Sequence, residues 1–175
     1  MNSEVRIHNS ESQKLAIIAL GSNLGDSRQI ILDAMARLEV FSHKPILKSS
    51  LWQTAPVDCP PGSPKFVNAV VVLIPPENET SLGLLRKLRK LERKFGRRPK
   101  KVLNEVRSLD LDLIAFGNET RNSPELTLPH PRAYLRRFVL QPLSEIAPDF
   151  ILPGQGRTVA ELVAGLPPDE TVTRL

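Results

Sequence analysis

Asp110 and Asp112 are the residues of this chain whose type and spacing most directly suggest chemistry. They lie in the run Arg107-Ser-Leu-Asp-Leu-Asp-Leu-Ile-Ala-Phe116, which alternates charged or polar residues with apolar ones. That alternation predicts a β-strand with one wet and one dry face. Side chains two apart on a strand point the same way, so the two carboxylates project together, roughly 6.5–7 Å apart at the backbone. Like charges held side by side repel unless a cation sits between them. A hard ion such as Mg²⁺, which prefers oxygen ligands, fits the pair. A solvent-facing strand edge that happens to carry two acids fits it equally well.

Other segments carry candidate groups. Asn68 interrupts an otherwise apolar run and shares a strand face with Phe66. A buried asparagine needs partners for its amide; a backbone turn or the polar edge of a flat heterocycle would both serve. Thr54-Ala-Pro-Val57 and Phe66 bracket a connection, 54–65, with four prolines and a glycine. It is too irregular for a helix or strand and long enough to carry function. Gly96-Arg-Arg-Pro-Lys-Lys101 and Arg107 could neutralise the aspartates or clamp phosphates. His130 is flanked by prolines, and with only His8 and His43 besides it no histidine pair has zinc-site spacing. Donation of a hydrogen bond to an anion suits it better. Gly21-Ser-Asn-Leu-Gly-Asp26 matches no nucleotide motif and reads as a turn with a helix cap. Nothing marks Cys59 or any serine as a nucleophile.

The elements that must position these groups follow from periodicity. Leu15–Leu20 reads as a buried strand, with Asp26 or Ser27 capping a helix whose inner face is Ile30, Ala34 and Leu38. Ile46–Gln53 and Phe66–Ile74 read as the second and third strands. Thr80 or Ser81 opens a second helix with Leu84, Leu88, Leu91 and Phe95 as its dry stripe, and Gly96 closes it. The strand with the two aspartates follows. The order β-α-β-β-α-β predicts an α+β, ferredoxin-like core: a four-stranded antiparallel sheet with both helices on one face. A C-terminal extension adds an extended piece at Leu126–Pro131, a partly helical Tyr134–Ile146 and a short helix at Val159–Ala164.

Composition sets outer bounds. The 175 residues are 41% hydrophobic, enough for one core. Residues 1–13 read as a flexible arm and 14–175 as a single domain. One cysteine excludes an internal disulfide and suits a reducing, cytoplasmic setting. No apolar run is long enough to span a membrane. The charge is uneven. Arg86–Arg107 holds eleven basic and two acidic residues, while the remainder holds thirteen and seventeen. One cationic segment against a mildly acidic body suits a local anionic ligand better than a nucleic-acid track. With six Phe, one Tyr and one Trp and no aromatic-rich strand motif, a base-stacking RNA module is disfavoured.

Ala19-Leu-Gly-Ser-Asn-Leu-Gly25, Phe66-Val-Asn-Ala-Val70, Arg107–Ile114, Leu128-Pro-His130 and Arg136-Arg-Phe-Val-Leu-Gln-Pro-Leu-Ser-Glu-Ile-Ala-Pro148 occur in this order. Together they closely resemble the 6-hydroxymethyl-7,8-dihydropterin pyrophosphokinases of folate biosynthesis, over roughly residues 14–165. The resemblance implies transfer of diphosphate from ATP to the hydroxymethyl group of the reduced pterin, with release of AMP. It implies that Asp110 and Asp112 hold two Mg²⁺ ions and that Arg97 and Arg107 act with them in catalysis. Glu92, Arg97, Arg107, His130 and Arg136 are implied to bind ATP. Thr54, Ala55, Pro56, Val57, Phe66, Asn68 and Phe138 are implied to bind the pterin, the two phenyl rings sandwiching it. A monomer that binds neither nucleic acid nor membrane is implied too. The resemblance departs before the aspartates. Many relatives read Arg-Val-Arg and then Arg-Trp-Gly-Pro-Arg, where this chain has Arg97-Arg-Pro99 and then Leu103-Asn-Glu-Val-Arg107. Only Arg97 and Arg107 keep their places, and a lysine does not replace a bidentate guanidinium. A non-catalytic pterin- or nucleotide-binding relative is the alternative this loop leaves open.

Overall fold

A computed structural model describes residues 14–96, 108–169 and 171–175. The arm expected at 1–13 and the basic loop 97–107, with Arg97 and Arg107, lie outside the described residues.

The first strand, β1 (Ala16–Ser22), is a nearly unbroken buried run. Helix α1 (Ser27–Leu38) starts where the Asp26 carboxylate accepts the Gln29 N–H at 3.1 Å. Its buried stripe is Ile31, Ala34, Met35 and Leu38, which keeps the expected Ala34 and Leu38, with Ile30 packed at the margin. The expected second strand is two short pieces, β2 (Leu47–Lys48) and β3 (Trp52–Thr54). Both pair with β4 (Phe66–Leu73). Four steps from Lys48 to Trp52 match only three from Val71 to Asn68, so one residue bulges. Ser49 fills the break: its hydroxyl accepts the Val70 N–H at 2.9 Å.

Helix α2 (Ser81–Lys94) is capped by Thr80, whose hydroxyl accepts the Gly83 N–H at 3.0 Å. Gly96 ends the helix with φ +85°, a conformation that suits glycine. Strand β5 (Asp110–Phe116) follows. A small hairpin of β6 (Arg121–Asn122) and β7 (Thr127–Leu128) stands apart from the main sheet. Then come α3 (Arg137–Ile146), α4 (Val159–Gly165) and a last short strand, β8 (Thr173–Arg174). No described helix is long and apolar enough to cross a membrane.

The architecture is mixed α/β, with an antiparallel sheet and four α-helices among the described residues. Its strand order is β5-β1-β4-β3-β8, and β2 also lies on β4. The described sheet thus has six strands rather than four, because β3 and β2 divide at the bulge and β8 adds an edge. As expected, α1 and α2 share one face, where they meet Leu20, Val71 and Leu111. The C-terminal extension covers the other face, where α3 and α4 meet Ile17, Val72 and Ile114. Strand β4 is buried on both sides along nearly its whole length, as a continuous apolar strand in the middle of three layers must be. On β5 the wet face is confined to the Asp110 end, since Ile114 on that side is fully buried under the extension.

Candidate functional site

The register of three strand pairs builds the site. Asp110 on β5 lies opposite Gly21 on β1, Gly21 opposite Asn68 on β4, and Asn68 opposite Trp52 on β3. Residues directly opposite in an antiparallel sheet present their side chains on the same face. Asp112 opposes Ala19 one pleat further in, and Phe66 opposes Thr54 one pleat further out. The two carboxylates, the amide of Asn68, the Phe66 ring and the Thr54 hydroxyl therefore share one face. It is the α3 face, at the end of the sheet where apolar cover stops.

A cleft of about 950 Å³ opens there. Thr54, Ala55, Val57, Phe66, Asn68, Glu92, Asp110, Asp112, His130, Arg136 and Phe138 all line it. Of the expected site residues that are described, Pro56 alone stands back from the wall, half-buried in its loop.

Gly21 was expected in a turn, yet it is part of β1, at the centre of the site. A Cβ there would stand 3.2 Å from Asn68 Oδ1 and 3.9 Å from the Phe66 ring. Asn68 has no room to yield, because its Nδ2 donates to Thr54 Oγ1 at 2.8 Å and both residues are buried. The missing side chain keeps the space between the carboxylates and the amide open. If Asn68 reads a pterin edge, as the resemblance implies, Gly21→Ala should strain the Asn68–Thr54 pair and weaken pterin binding about tenfold, with a smaller effect on ATP. Fluorescence titration of the pterin checks this, and an unchanged affinity would remove the glycine from the site.

Two groups come from outside the sheet. Glu92 projects from α2, is 3% exposed, and accepts the Leu111 N–H on Oε1 at 2.8 Å. That bond grips the β5 backbone between the two aspartates. Arg89 lines the cleft from the same stripe of α2, one turn before Glu92, and pairs with Glu125 at 3.8 Å. The helical spacing Leu85, Arg89, Glu92 is the signal that would have found it. Arg132, two residues after His130, also stands in the wall.

His130 is tied to the sheet by its own N–H, which donates to the Ile114 carbonyl at 2.8 Å. Its Nδ1 accepts the Arg132 N–H at 3.3 Å, so a neutral ring carries its proton on Nε2. Burial, and then Arg136 and Arg132, lower its pKa from 6.5 to about 4, with Asp110 opposing. At neutral pH the ring is therefore an uncharged donor. The unfolded chain binds a proton there before the folded one does. Through His130, stability should thus fall as pH drops from 6.5 towards about 4 and should not change above 6.5. Denaturation midpoints across that window check this: His130→Asn should flatten part of the fall, and an identical profile would refute it.

Arg136 precedes α3 and sits over the Phe138 ring, its Cζ 5.4 Å from the centroid. Its guanidinium also feels the charges of Asp112 and Asp110, which oppose the lowering of its pKa by burial and Arg132. One cation thus links the diacid strand to the phenyl ring of α3. No group of three His, Cys, Asp or Glu side chains among the described residues forms a metal cage. A pair of carboxylates on one face still suits Mg²⁺, which keeps waters and takes further oxygens from substrate phosphates.

Comparison with known proteins gives the family and the fold. Residues 17–148 match the family model of 7,8-dihydro-6-hydroxymethylpterin-pyrophosphokinase. The chain is similar to the 2-amino-4-hydroxy-6-hydroxymethyldihydropteridine pyrophosphokinase of Pseudomonas aeruginosa, with 38% identity over 86% of this chain and 90% of that protein. The protein of the same name from Synechocystis is 36% identical over 85% of this chain and 74% of its own length. Among solved structures, wild-type HPPK-DHPS of Plasmodium falciparum with pterin and p-hydroxybenzoate superposes with a TM-score of 0.68 at 16% identity. That superposition covers 90% of this chain and 44% of the other, so it speaks for the fold alone and for part of a longer protein. With the family model spanning most of the chain and two relatives above 35% identity over most of their own length, the chain belongs to the 7,8-dihydro-6-hydroxymethylpterin-pyrophosphokinase family.

Proposed function

We propose that this protein transfers the terminal diphosphate of ATP to the hydroxymethyl oxygen of 6-hydroxymethyl-7,8-dihydropterin in folate biosynthesis. The observation that carries the reading is the Asp110–Gly21–Asn68 row, which joins a carboxylate pair to an amide and a phenyl ring in one cleft. The hydroxyl oxygen attacks the β-phosphorus, and the bond from that phosphorus to the oxygen bridging it to the α-phosphorus breaks. AMP leaves with that oxygen, and the hydroxyl proton passes to solvent.

Asp110 and Asp112 would hold two Mg²⁺ ions, which neutralise the triphosphate charge when bound. The protein's own residues do the remaining work by placement. A hydroxyl is a weak nucleophile, and among the described residues the cleft wall offers it no lysine and only a weakly basic His130, so the rate rests on alignment and on fixed charge. Phe66 and Phe138 hold the flat pterin, while Asn68, Thr54 and the Ala55–Val57 backbone, with Pro56 behind it, read its polar edge. Neutral His130 donates from Nε2 to a phosphate oxygen. Arg136 bridges the phosphate and pterin halves. Glu92 contacts the nucleotide from a position where one of its oxygens already anchors β5. Arg97 and Arg107 complete the phosphate clamp from the segment outside the described residues.

The same reading makes 14–175 one domain on a ferredoxin-like core, supported by the order β5-β1-β4-β3 with α1 and α2 on one face. It also has the protein act as a cytoplasmic monomer. Release of AMP from ATP, Mg²⁺ and the hydroxymethyl-dihydropterin tests the reading. Pterin-dependent AMP is the expected result. Its absence, with pterin still bound, would make the protein a binding relative without turnover.

A further inference from the structure

The family match ends at residue 148, yet the chain beyond it returns to the cleft. Leu166–Asp169, with Thr171 and Val172, line it alongside Val57, Asp58 and Phe138. Resting on the function proposed above, we infer that this C-terminal segment is a strap forming the outer wall of the pterin half of the cleft, and that Arg137 is the positioning residue that holds it there.

The strap is fastened at both ends. At its start, the Arg137 Nη2 donates to the carbonyls of Leu166 at 3.1 Å and Pro167 at 2.9 Å, and reaches that of Val163 at 3.5 Å. Its Nη1 donates to Gln141 Oε1 at 3.1 Å, one turn along α3, which sets the guanidinium's direction. A planar guanidinium can bind several carbonyls converging on one end of a helix, and the C-terminus of α4 supplies them. At its far end the strap becomes β8, which pairs with Trp52 and Gln53. Glu145 locks that junction by accepting the Ser50 N–H at 2.9 Å and Trp52 Nε1 at 3.1 Å while facing Arg174 at 3.3 Å.

The described residues of the span, which leave out position 170, are restricted at two points. Pro167 and Pro168 fix two φ angles. The Asp169 carboxylate accepts from the Thr171 N–H and hydroxyl at 2.9 and 2.6 Å and closes a turn. Both fastenings adjoin pterin residues in the chain. Arg137 directly precedes Phe138, and the residues that pair with β8 directly precede Thr54. Loosening the strap therefore opens the pterin half and leaves the diacid strand, on the far side of β1, in place.

Steady-state kinetics on the full chain tests this. Arg137→Leu keeps the aliphatic stem and removes the donors. It should raise KM for the pterin about tenfold, with kcat and KM for ATP within about twofold of wild type. Arg137→Lys should recover part of the loss. Asp26→Ala, which uncaps α1 on the opposite face of the sheet, should lower the melting temperature without moving either KM; a shift like that of Arg137→Leu would reduce the effect to lost stability. If Arg137→Leu does not fold, the double substitution Pro167→Gly, Pro168→Gly in the exposed strap decides, with the same rise expected. An active wild type whose strap variants bind pterin normally overturns the strap alone. A wild type without pterin-dependent AMP release or pterin binding overturns the proposed function and the strap with it.

Discussion

Asp110→Ala and Asp112→Ala should each lower pterin-dependent AMP release by about a thousandfold or more, the scale of losing several kcal/mol of transition-state charge stabilisation. The melting temperature should stay at or above that of the wild type. Both expectations come from the same electrostatics. The carboxylates are half-buried on one face of β5, and two like charges so placed disfavour the folded state until cations compensate them. Arg136 supplies part of that compensation, and the metal-bound triphosphate would add to it. Removing one carboxylate relieves repulsion and removes an oxygen ligand together. The backbone between the two is held independently by Glu92 on the Leu111 N–H, so the strand should keep its position. Kinetics with thermal melting reads both quantities. A variant of either position with near-wild-type turnover would refute the metal assignment.

The second large effect is expected at Phe138. Phe138→Ala should weaken pterin affinity about thirtyfold, since an aromatic wall contributes both contact area and ring stacking. KM for ATP should change no more than about threefold, the smaller effect reflecting only the loss of the ring beneath Arg136. Phe138 also packs at the margin of the core under α3, so the alanine variant will lose stability. Phe138→Leu separates the two roles: it restores most of the packing but not the stacking face. Fluorescence titration with the pterin distinguishes them. Leucine restoring full affinity would leave Phe138 as a packing residue and remove the sandwich.

Much of the fold was legible from periodicity. The order of strands and helices through β5 follows from apolar runs, caps and breakers, because each reports a local preference: Thr80 and Asp26 cap helices, and Gly96 ends one. The break between β2 and β3 was not legible, since it depends on Ser49 bonding a backbone group that lies 21 residues away. The cover over the second sheet face was half-signalled. An eight-residue strand with an almost wholly apolar sequence, Phe66–Leu73, belongs between two layers rather than at a surface. In the α1 stripe Ala34 and Leu38 are buried as expected, but Ile31 rather than Ile30 is the fully buried isoleucine, because the two are equally apolar and packing decided which turned inward.

The chemical types at the site were determined by the sequence alone: two acids with strand spacing, a lone amide in an apolar strand, a histidine between prolines, and the order of motifs that marks the family. These are local or linear properties, so they survive without coordinates. Tertiary structure decided how they are joined. Gly21 becomes the gap between Asp110 and Asn68 only through the pairing of β1 with both neighbours. Glu92 becomes the brace of the diacid strand only because α2 packs on β5. His130 is held neutral first by burial, which only packing against the sheet supplies, with its chain neighbours Arg136 and Arg132 adding to it. The C-terminal segment reaches the Phe138 side of the cleft through a strand pairing across more than a hundred residues. The physical reason is the same in each case. Residue type and spacing set what a group can do, whereas its partners are chosen by contacts between segments distant in the chain.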